Sequence, residues 1–310
     1  MSSMQDVLDN VKKLIDDYVE CWVKGGSGIK ADVGDSYIAD NITPCKFKYL
    51  IIQHYRIHDL PFEVLRKLPV LLLKTHVAQN VNHDHKYLWA WTAQLINGLK
   101  GKLELLKRDG ELLDQLNLVF RVNLLSTSQI VSNYPELTDI LANNFKISAH
   151  LAFPLLERLL KTICKYHVDI NGSIHKPFDI PLRNRVMRYG VQRKKISRVG
   201  HLLYLFYMEY ASTELKRNLE EFCNLCEKIY TANKGRYMFK FVDKWRNIII
   251  HGERFWSTMN AAIINLITLI LLHEIPYDTY LKTKEHVLRN ILFWKNNNIR
   301  APWIFYPPKL

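Results

Sequence analysis

Cysteine is scarce in this chain, and its spacing excludes a disulfide framework. The 310 residues contain five cysteines, an odd number at scattered positions, whereas small secreted domains carry even sets at regular spacing. Cys223 and Cys226 form a C-x-x-C pair, which is compatible with zinc or redox chemistry. However, no second pair lies at zinc-site spacing, and the surrounding pattern is helical rather than βαβ. We therefore expect buried structural thiols in a reducing, intracellular compartment and no bound metal.

Long apolar runs and phosphate-binding loops are also absent. The longest apolar run, residues 261–272, contains Asn265 and Thr268 and is shorter than the ~20 residues that cross a bilayer, so it predicts a buried core helix. The N-terminus is polar and acidic, which predicts no signal peptide. No glycine-rich phosphate loop occurs, so no cofactor is expected. We predict a cytoplasmic protein without a transmembrane segment in this chain; membrane association would need a further segment or a partner.

The chain is rich in apolar residues and in positive charge. Hydrophobic residues make up 48% of it and charged residues 24%, a composition that can form a folded core and is not typical of disorder. Lysine and arginine number 43 against 30 aspartates and glutamates, a formal net charge of +13. This excess predicts attraction to a polyanion or to an acidic membrane surface, and it carries no information about the fold.

Apolar residues recur at helical spacing along most of the chain, which predicts an all-α helical bundle. The predicted helices cover residues 4–24, 47–55, 61–79, 85–108, 110–125, a helix that begins at Pro135, and 147–168, 196–211, 213–233, 236–251, 257–274 and 277–297. Pro69 should kink one of them, and residues 169–181 should form a long loop. We predict an N-terminal helical region, residues 1–134, a C-terminal helical domain, residues 135–297, and an extended tail, residues 298–310.

The most informative segment is Trp245-Arg246-Asn247-Ile248-Ile249-Ile250-His251-Gly252-Glu253. Three apolar residues separate the amide from the imidazole, which predicts a partly buried helix with a polar rim. On such a helix Asn247 and His251 are i, i+4 neighbours, and the long side chain of Arg246 reaches the same rim. Gly252 predicts the end of the helix directly after the imidazole. Arginine and histidine near a helix C-terminus are also favoured by the helix dipole, so a purely structural role stays open.

These three polar side chains suit the cleavage of RNA. The 2′-hydroxyl of RNA is a nucleophile next to the scissile phosphate, and an imidazole can remove its proton near neutral pH. A guanidinium matches the bidentate geometry of a phosphate and stabilises the negative charge of the pentacoordinate transition state. We therefore predict Arg246, Asn247 and His251 as catalytic residues. Asn247 would orient the imidazole or donate to a phosphoryl oxygen.

A second segment, residues 148–164, is a strongly apolar helix with a His-x-x-x-Pro-x-x-Glu-x-x-x-Lys run from His150 to Lys161. Together the two segments resemble the HEPN superfamily (higher eukaryotes and prokaryotes nucleotide-binding domains) over about residues 135–295. The second segment is similar to the early helix of a HEPN subgroup that includes a domain of an RNA degradation protein of the endoplasmic reticulum membrane. The resemblance implies an all-helical ribonuclease domain that acts on RNA. It also implies a homodimer, in which two motifs face one cleft, and leaves association with the endoplasmic reticulum open.

Two roles are open for Glu157, the carboxylate in the middle of the second segment. It can act behind the catalytic residues by orienting Arg246 or His251. It can instead form an ion pair with Arg158 or Lys161, which lie one and four residues further along the same helix. The sequence does not choose between these roles, and we retain Glu157 as a supporting residue of the site.

A strongly basic run follows the predicted loop. It has seven cations and no carboxylate: Arg183, Arg185, Arg188, Arg193, Lys194, Lys195 and Arg198. Cations at this density bind an RNA backbone, and Tyr189 within the run can stack on a base. We predict that the seven cations and Tyr189 form an RNA-binding surface. The alternatives are a solvated charge run without a partner and a stretch that resembles a nuclear-localisation signal.

Two groups of histidines raise the question of a metal site. His54 and His58 are four residues apart, and Asn82-His83-Asp84-His85 brings three ligand types together. Zinc sites need three or four ligands with further support, and the first pair lacks the glutamate of a metalloprotease helix. We expect ordinary surface histidines and no metal site.

The leading functional hypothesis is a metal-independent endoribonuclease for single-stranded RNA. A HEPN-type module that holds RNA or a nucleotide without cutting it is the first alternative. A helical interaction scaffold is the second, and Trp245, Phe255 and Trp256 would then be interface aromatics. The observation that separates these hypotheses is whether the arginine, asparagine and histidine of the motif line an open basic cleft, preferably across a two-fold axis.

Overall fold

The computed structural model describes residues 3–25, 50–78, 81–124, 143–182, 185–230, 237–253 and 256–296. Within these residues it contains eleven α-helices and one small two-stranded sheet, which confirms the predicted all-α class. The helix predicted to begin at Pro135, the cation Arg183 and the tail 298–310 lie outside the described residues.

Most helices follow the predicted segments, but the predicted helix 85–108 is divided into two, His83–Gly98 and Glu104–Arg108. In chain order the elements are α1 (Met4–Gly25), α2 (Phe62–Leu72), α3 (His83–Gly98), α4 (Glu104–Arg108), α5 (Gly110–Leu124), α6 (Asn144–Ile163), β1 (Phe178–Leu182), β2 (Arg185–Tyr189), α7 (Val199–Glu209), α8 (Thr213–Ile229), α9 (Lys240–Ile250), α10 (Ser257–Glu274) and α11 (Tyr277–Asn296). Two short 3₁₀ helices, Ile57–Asp59 and Leu73–Ala78, complete the list. The described part of the predicted helix 47–55 forms turns instead.

The chain divides into two compact units at boundaries that differ from the predicted ones. The first unit combines Met1–Leu99 with Trp256–Leu310, and the second unit is Lys100–Phe255. The predicted division into residues 1–134 and 135–297 is therefore wrong. Its error has a packing cause, because α5 packs on α6 in the second unit, while α10 and α11 pack on α2 and α3 in the first unit.

The first unit is built around α10, which packs on α2 and α3. Every residue from Asn260 to Leu272 is buried. Among the described helices, α10 alone has the length and composition of a membrane span, and 78% of it is buried within the folded chain. Asn265 is a polar link in this apolar helix: its Nδ2 donates to the carbonyl of Pro69 at 3.1 Å, and its Oδ1 accepts from the Trp89 indole at 2.8 Å. The α-helix α2 passes through Pro69 and becomes 3₁₀ from Leu73.

The second unit places α6 at its centre, with α5, α7, α9 and the short α4 packed against it. The thiols of this unit, Cys164, Cys223 and Cys226, are buried and form no disulfide, and the burial of Cys223 and Cys226 confirms the prediction for the C-x-x-C pair. Burial raises the pKa of both thiols in the C-x-x-C pair, which keeps them protonated and unreactive. Cys21 of the first unit is exposed.

The β-hairpin was not predicted. Phe178 pairs with Tyr189 and Ile180 with Met187 in an antiparallel register, and this inner side packs towards α7. The intervening Asp179 and its partner Arg188 are exposed. This alternation is typical of a half-buried strand pair, but prolines and a dense run of cations obscure it in the sequence.

Candidate functional site

The helix α9 carries the motif and presents two different sides. Its buried residues are Phe241, Val242, Trp245 and Ile249. The opposite rim holds Arg246, whose side chain is 33% exposed, followed by the exposed residues Asn247 and His251. The predicted amphipathic helix is confirmed, and its three polar side chains share the outer rim.

The end of α9 fixes the position of His251. Gly252 N donates to the carbonyl of Ile249 at 3.1 Å, and Glu253 N donates to the carbonyl of Ile248 at 3.0 Å. These two bonds form a Schellman end. Gly252 adopts a φ of 69°, a left-handed conformation that favours glycine. His251 therefore lies at the last turn, where the helix dipole presents partial negative charge.

Glu157 joins the motif to α6. Its Oε2 lies 3.6 Å from Arg246 Nη2, and its Oε1 lies 2.8 Å from Lys161 Nζ. The Glu157 and Lys161 side chains are only 22% and 11% exposed, so this ion-pair chain is screened less than a surface pair. Glu157 therefore contacts one partner from each of the two alternatives that the sequence left open. One oxygen faces the motif arginine, and the other faces a lysine on its own helix.

Arg158 makes contacts of a different kind. It binds Asp109 with two nitrogens, one of them at 2.5 Å, and Glu111 at 2.7 Å. The hydrogen bond from this guanidinium lowers the pKa of Asp109, which also accepts from Glu111 N and Leu112 N at the start of α5. Adjacent residues of α6 thus have different partners. Arg158 anchors α5, and Glu157 reaches α9.

Asn247 and His251 have no such partners. Within the described residues, neither side chain makes a hydrogen bond or an ion pair, and both are exposed. An exposed amide and an exposed imidazole beside a held guanidinium are free to contact a ligand. The three motif side chains therefore stay accessible on one helix rim, although nothing in the fold brings a second imidazole to them from the described part of the same chain.

A buried polar cluster fixes the first turn of α9. Asp243 accepts a hydrogen bond from Gly200 N at 2.8 Å and another from the Tyr237 hydroxyl. Beside it, His201 Nδ1 lies 2.7 Å from the Tyr189 hydroxyl. Burial lowers the pKa of His201 to about 4, so this ring is neutral near pH 7. The cluster ties α9 to α7 and to strand β2.

Burial excludes one residue of the predicted RNA-binding surface. Tyr189 is 1% exposed; its ring stacks on Phe178 at 4.9 Å, and its hydroxyl bonds His201. The interpretation of Tyr189 as a base-stacking residue is wrong, because no face of the ring is accessible. Its role in the fold is to seat the hairpin on α7.

The cations of the basic run are exposed as predicted. The described members, all solvent-accessible, are Arg185, Arg188, Arg193, Lys194, Lys195 and Arg198. Among the described residues no carboxylate forms an ion pair with any of them. Their charges therefore remain available to a polyanion.

Backbone contacts connect this basic run to the motif. Ile196 N donates to the carbonyl of Gly172 at 2.8 Å, and a Cβ on Gly172 would lie 2.7 Å from the Ile196 carbonyl, so only glycine fits. Lys161, the partner of Glu157, donates to the carbonyl of Ile170 in the same loop at 3.1 Å. A continuous set of contacts thus runs from Arg246 through α6 to the loop that supports the basic run.

The histidine groups do not form metal sites. No cluster of three histidine, cysteine or carboxylate ligands occurs among the described residues. The expectation of surface histidines is wrong for His58 and His85, which are both buried. His85 bonds Asn82 and His76. Asp84 accepts three backbone hydrogen bonds from residues 50–52, so this group is structural.

Comparison with known proteins adds no assignment. The chain matches no family model, no curated protein and no solved structure. A function must therefore be argued from the site itself.

Two features of the site were not predicted. The helical spacing offers Lys161 as a partner of Glu157, but nothing in the local pattern indicates that Lys161 also donates to the loop carbonyl of Ile170. Periodicity also does not reveal a cleft beside the hairpin, lined in part by His167 and Phe178. The aromatic and basic residues around the loop were the sequence feature that could have indicated this cleft. However, the strand pairing that brings them together joins residues that are distant in the sequence.

Proposed function

We propose that this protein is a metal-independent endoribonuclease that cleaves single-stranded RNA, with Arg246, Asn247 and His251 as its active residues. The observation that carries the proposal is the ion-pair chain of α9 and α6. Glu157 holds the guanidinium of Arg246 at 3.6 Å, while the exposed amide and imidazole remain without partners among the described residues. A charge that is already oriented stabilises a transition state without reorganising.

The proposed reaction is an internal transesterification. His251 removes the proton of the 2′-hydroxyl, and the 2′-oxygen attacks the adjacent phosphorus. Arg246 stabilises the charge on the phosphoryl oxygens, and Asn247 donates to one of them or orients the imidazole. The bond to the 5′-oxygen breaks and leaves a 2′,3′-cyclic phosphate. The departing 5′-oxygen needs a proton, which a second imidazole would supply, so we propose a homodimer in which two motifs share one cleft.

Substitutions in the motif test the proposal. His251→Ala should lower the cleavage rate at least ~100-fold, the usual contribution of a general acid or base, while RNA affinity stays nearly constant. Arg246→Ala should lower both turnover and affinity, because its charge acts on the ground state and the transition state. If both variants fold and cleave RNA at the wild-type rate, the catalytic proposal is wrong.

The substrate and ion requirements provide an independent test. A 2′-deoxy substrate should remain intact because it lacks the nucleophile, and the RNA products should carry 2′,3′-cyclic phosphate ends. Activity should survive EDTA, since no three-ligand cluster occurs in the described part of the chain. Cleavage of the deoxy substrate or a strict need for a divalent ion would reject this mechanism.

RNA binding without cleavage is a second candidate, and the unpaired cations of the basic run favour it. The joint substitution of Arg193, Lys194 and Lys195 by glutamine should weaken binding and flatten its salt dependence, by about 0.7 in the logarithmic slope for each phosphate that the variant no longer neutralises. The fold should persist because all three side chains are exposed. An unchanged slope would show that the basic run does not bind RNA, whether or not the protein cleaves it.

A further inference from the structure

A cleft lies in the second unit between the loop that follows α6, strand β1 and the end of α7. Its volume is about 280 Å³, close to the lower end of the about 300–1,000 Å³ typical of small-molecule sites. None of the three motif residues, Arg246, Asn247 and His251, lines this cleft. The residues that line the cleft include His167, Lys176, Phe178, Asp179, Met208 and Glu209.

One part of the cleft wall is apolar and suits a flat ring. Phe178 is partly exposed and is backed by Tyr189, which stacks on it with an interplanar angle of 13°. Met208, at the end of α7, is 47% exposed. An aromatic ring supported from behind and a flexible thioether form a surface on which an unpaired nucleobase can pack.

The polar part of the cleft contains the imidazole of His167, which is held by a hydrogen bond, and two side chains of opposite charge, Lys176 and Glu209. His167 is 5% exposed, and its Nδ1 lies 2.6 Å from the Tyr210 hydroxyl. Burial lowers the pKa of His167, Lys176 lowers it further, and Glu209 opposes that effect. Both charged groups therefore act on the same ring from within the cleft.

The cleft also adjoins the basic run. Asp179, which lines it, is paired in register with Arg188 on the neighbouring strand, and both are exposed. A base held in the cleft would leave its phosphates beside this cation. A strand that follows the cations with one base turned into an aromatic-lined recess is a common arrangement in single-stranded RNA recognition.

We propose that this cleft binds one unpaired guanine base of single-stranded RNA, an inference that rests on the proposed function for the identity of the polymer. Guanine presents adjacent N1–H and N2–H donors, which match the two oxygens of a carboxylate such as Glu209. Its O6 and N7 accept hydrogen bonds, which suits Lys176. Uracil lacks an amino group, and adenine and cytosine present no adjacent pair of donors for a carboxylate, so they fit less well.

The test uses the full chain with His251→Ala, so that RNA is bound and not consumed. Fluorescently labelled five-nucleotide RNAs with a central G, A, C or U in a uridine background are titrated by anisotropy. The guanine-containing RNA should bind about 10-fold tighter than the others, equivalent to about 1.4 kcal/mol for one good bidentate contact. Adding Glu209→Gln should reduce that preference to less than about threefold, with little effect on the all-uridine RNA. Glu227→Gln, the same charge change on α8, should leave it intact.

The outcomes separate this inference from the proposed function. Equal binding of all four RNAs, or a guanine preference that Glu209→Gln does not alter, rejects the cleft site even if the wild-type protein cleaves RNA. Guanine-selective binding that Glu209→Gln abolishes supports the cleft even if no RNA is cleaved. Guanosine monophosphate should bind at least about 10-fold more weakly than the oligonucleotide because it has no flanking phosphates for Arg188. Equal affinity would assign the cleft to a free nucleotide and overturn the RNA proposal.

Discussion

The candidate polar groups of the two units differ in burial. In the first unit the histidine cluster around His85 and the amide of Asn265 are buried and hydrogen-bonded. His85 lies 2.8 Å from Asn82 and 3.1 Å from His76, and Asn265 joins Trp89 to Pro69. Buried polar groups of this kind are costly unless every partner is present. Where their partners are present, they specify a single arrangement of the core.

In the second unit the side chains of the motif lie at the surface, and a residue of the neighbouring helix α6 contacts one of them. Arg246 is partly exposed and paired on one side with Glu157, and His251 is exposed at a helix end. The comparison indicates that histidine clusters in a sequence are poor guides to function unless their burial is known. A shorter motif on a half-buried helix is the better candidate. Acid and single substitutions can test this contrast between buried polar clusters and an exposed motif.

The largest expected effect is acid destabilisation of the first unit. Burial lowers the pKa of His85 and of His273 to about 3, below the about 6.5 of an unfolded chain. The unfolded state therefore binds more protons between pH 3 and 6.5, so the free energy of unfolding has its full value above pH 6.5 and falls as the pH decreases. The loss should be about 2 kcal/mol for each histidine between pH 7 and pH 5. Asp84 opposes it in part, because burial raises its pKa to about 6 and its protonation then favours the folded state.

Hydrogen exchange measured from pH 7 to pH 4 resolves the two units. Burial also lowers the pKa of His201 in the second unit, to about 4, but the first unit has two such histidines, so amide protection in α3 and α10 should fall at a higher pH than protection in α6. His251→Ala should leave this profile unchanged because that ring is exposed. If α6 loses its amide protection at a higher pH than α3 and α10, the second unit is the more sensitive to acid, and the prediction is wrong.

The next largest effect should come from Asn265. Replacement by leucine preserves the volume but leaves the Trp89 N–H and the Pro69 carbonyl without a partner. The expected destabilisation is about 2–4 kcal/mol, since each buried group left unsatisfied costs about 1–3 kcal/mol. Urea unfolding followed by circular dichroism measures this change.

The matched control is Asn247→Leu on the exposed rim of α9, which should shift the free energy of unfolding by no more than about 0.5 kcal/mol. Similar losses for both asparagines would mean that the rim of α9 is as tightly packed as the core of the first unit.

The sequence was sufficient for the helices and for the motif but not for the packing between them. Helix α10 begins and ends where its periodicity predicted, and Gly252 ends α9 directly after His251, because these signals are local. The hairpin, the buried position of Tyr189 and the assignment of α5 to the second unit depend on contacts between distant residues. Periodicity cannot supply such contacts. Similarly, Glu157 could be assigned to its two partners only once α6 and α9 were placed side by side.

A smaller stability effect should separate the two arginines of the α6–α9 region. Arg158→Met leaves Asp109, whose side chain is 9% exposed, without its bidentate partner, and should cost about 2 kcal/mol. Arg246→Met removes a longer and more exposed ion pair and should cost less than about 1 kcal/mol. Thermal unfolding ranks the two variants. Under the proposed function, their ranking in RNA cleavage is the reverse, with Arg158→Met active at temperatures where it remains folded.

The smallest and most specific effect should follow from a substitution of Glu157, and it is an effect on the rate of RNA cleavage. Glu157→Gln keeps the shape of the side chain but removes the charge that faces Arg246 at 3.6 Å. The guanidinium should then lose its preferred orientation, and kcat for RNA cleavage should fall about 10-fold, or about 1.4 kcal/mol. KM should not rise, because the site becomes more positive and attracts the phosphate backbone at least as well. Glu111→Gln is the matched control, since it removes the same charge from a carboxylate that is paired with Arg158 and 78% exposed.

If the role of Glu157 is purely structural, a different result is expected for Glu157→Gln and its control Glu111→Gln. Both variants would then lose a similar, small amount of stability, and kcat would be unchanged below the unfolding transition. A fall in kcat restricted to Glu157→Gln, without an increase in KM, would identify a residue that positions the catalytic guanidinium from the neighbouring helix. It would also establish that the exposed motif of the second unit depends on its support from α6.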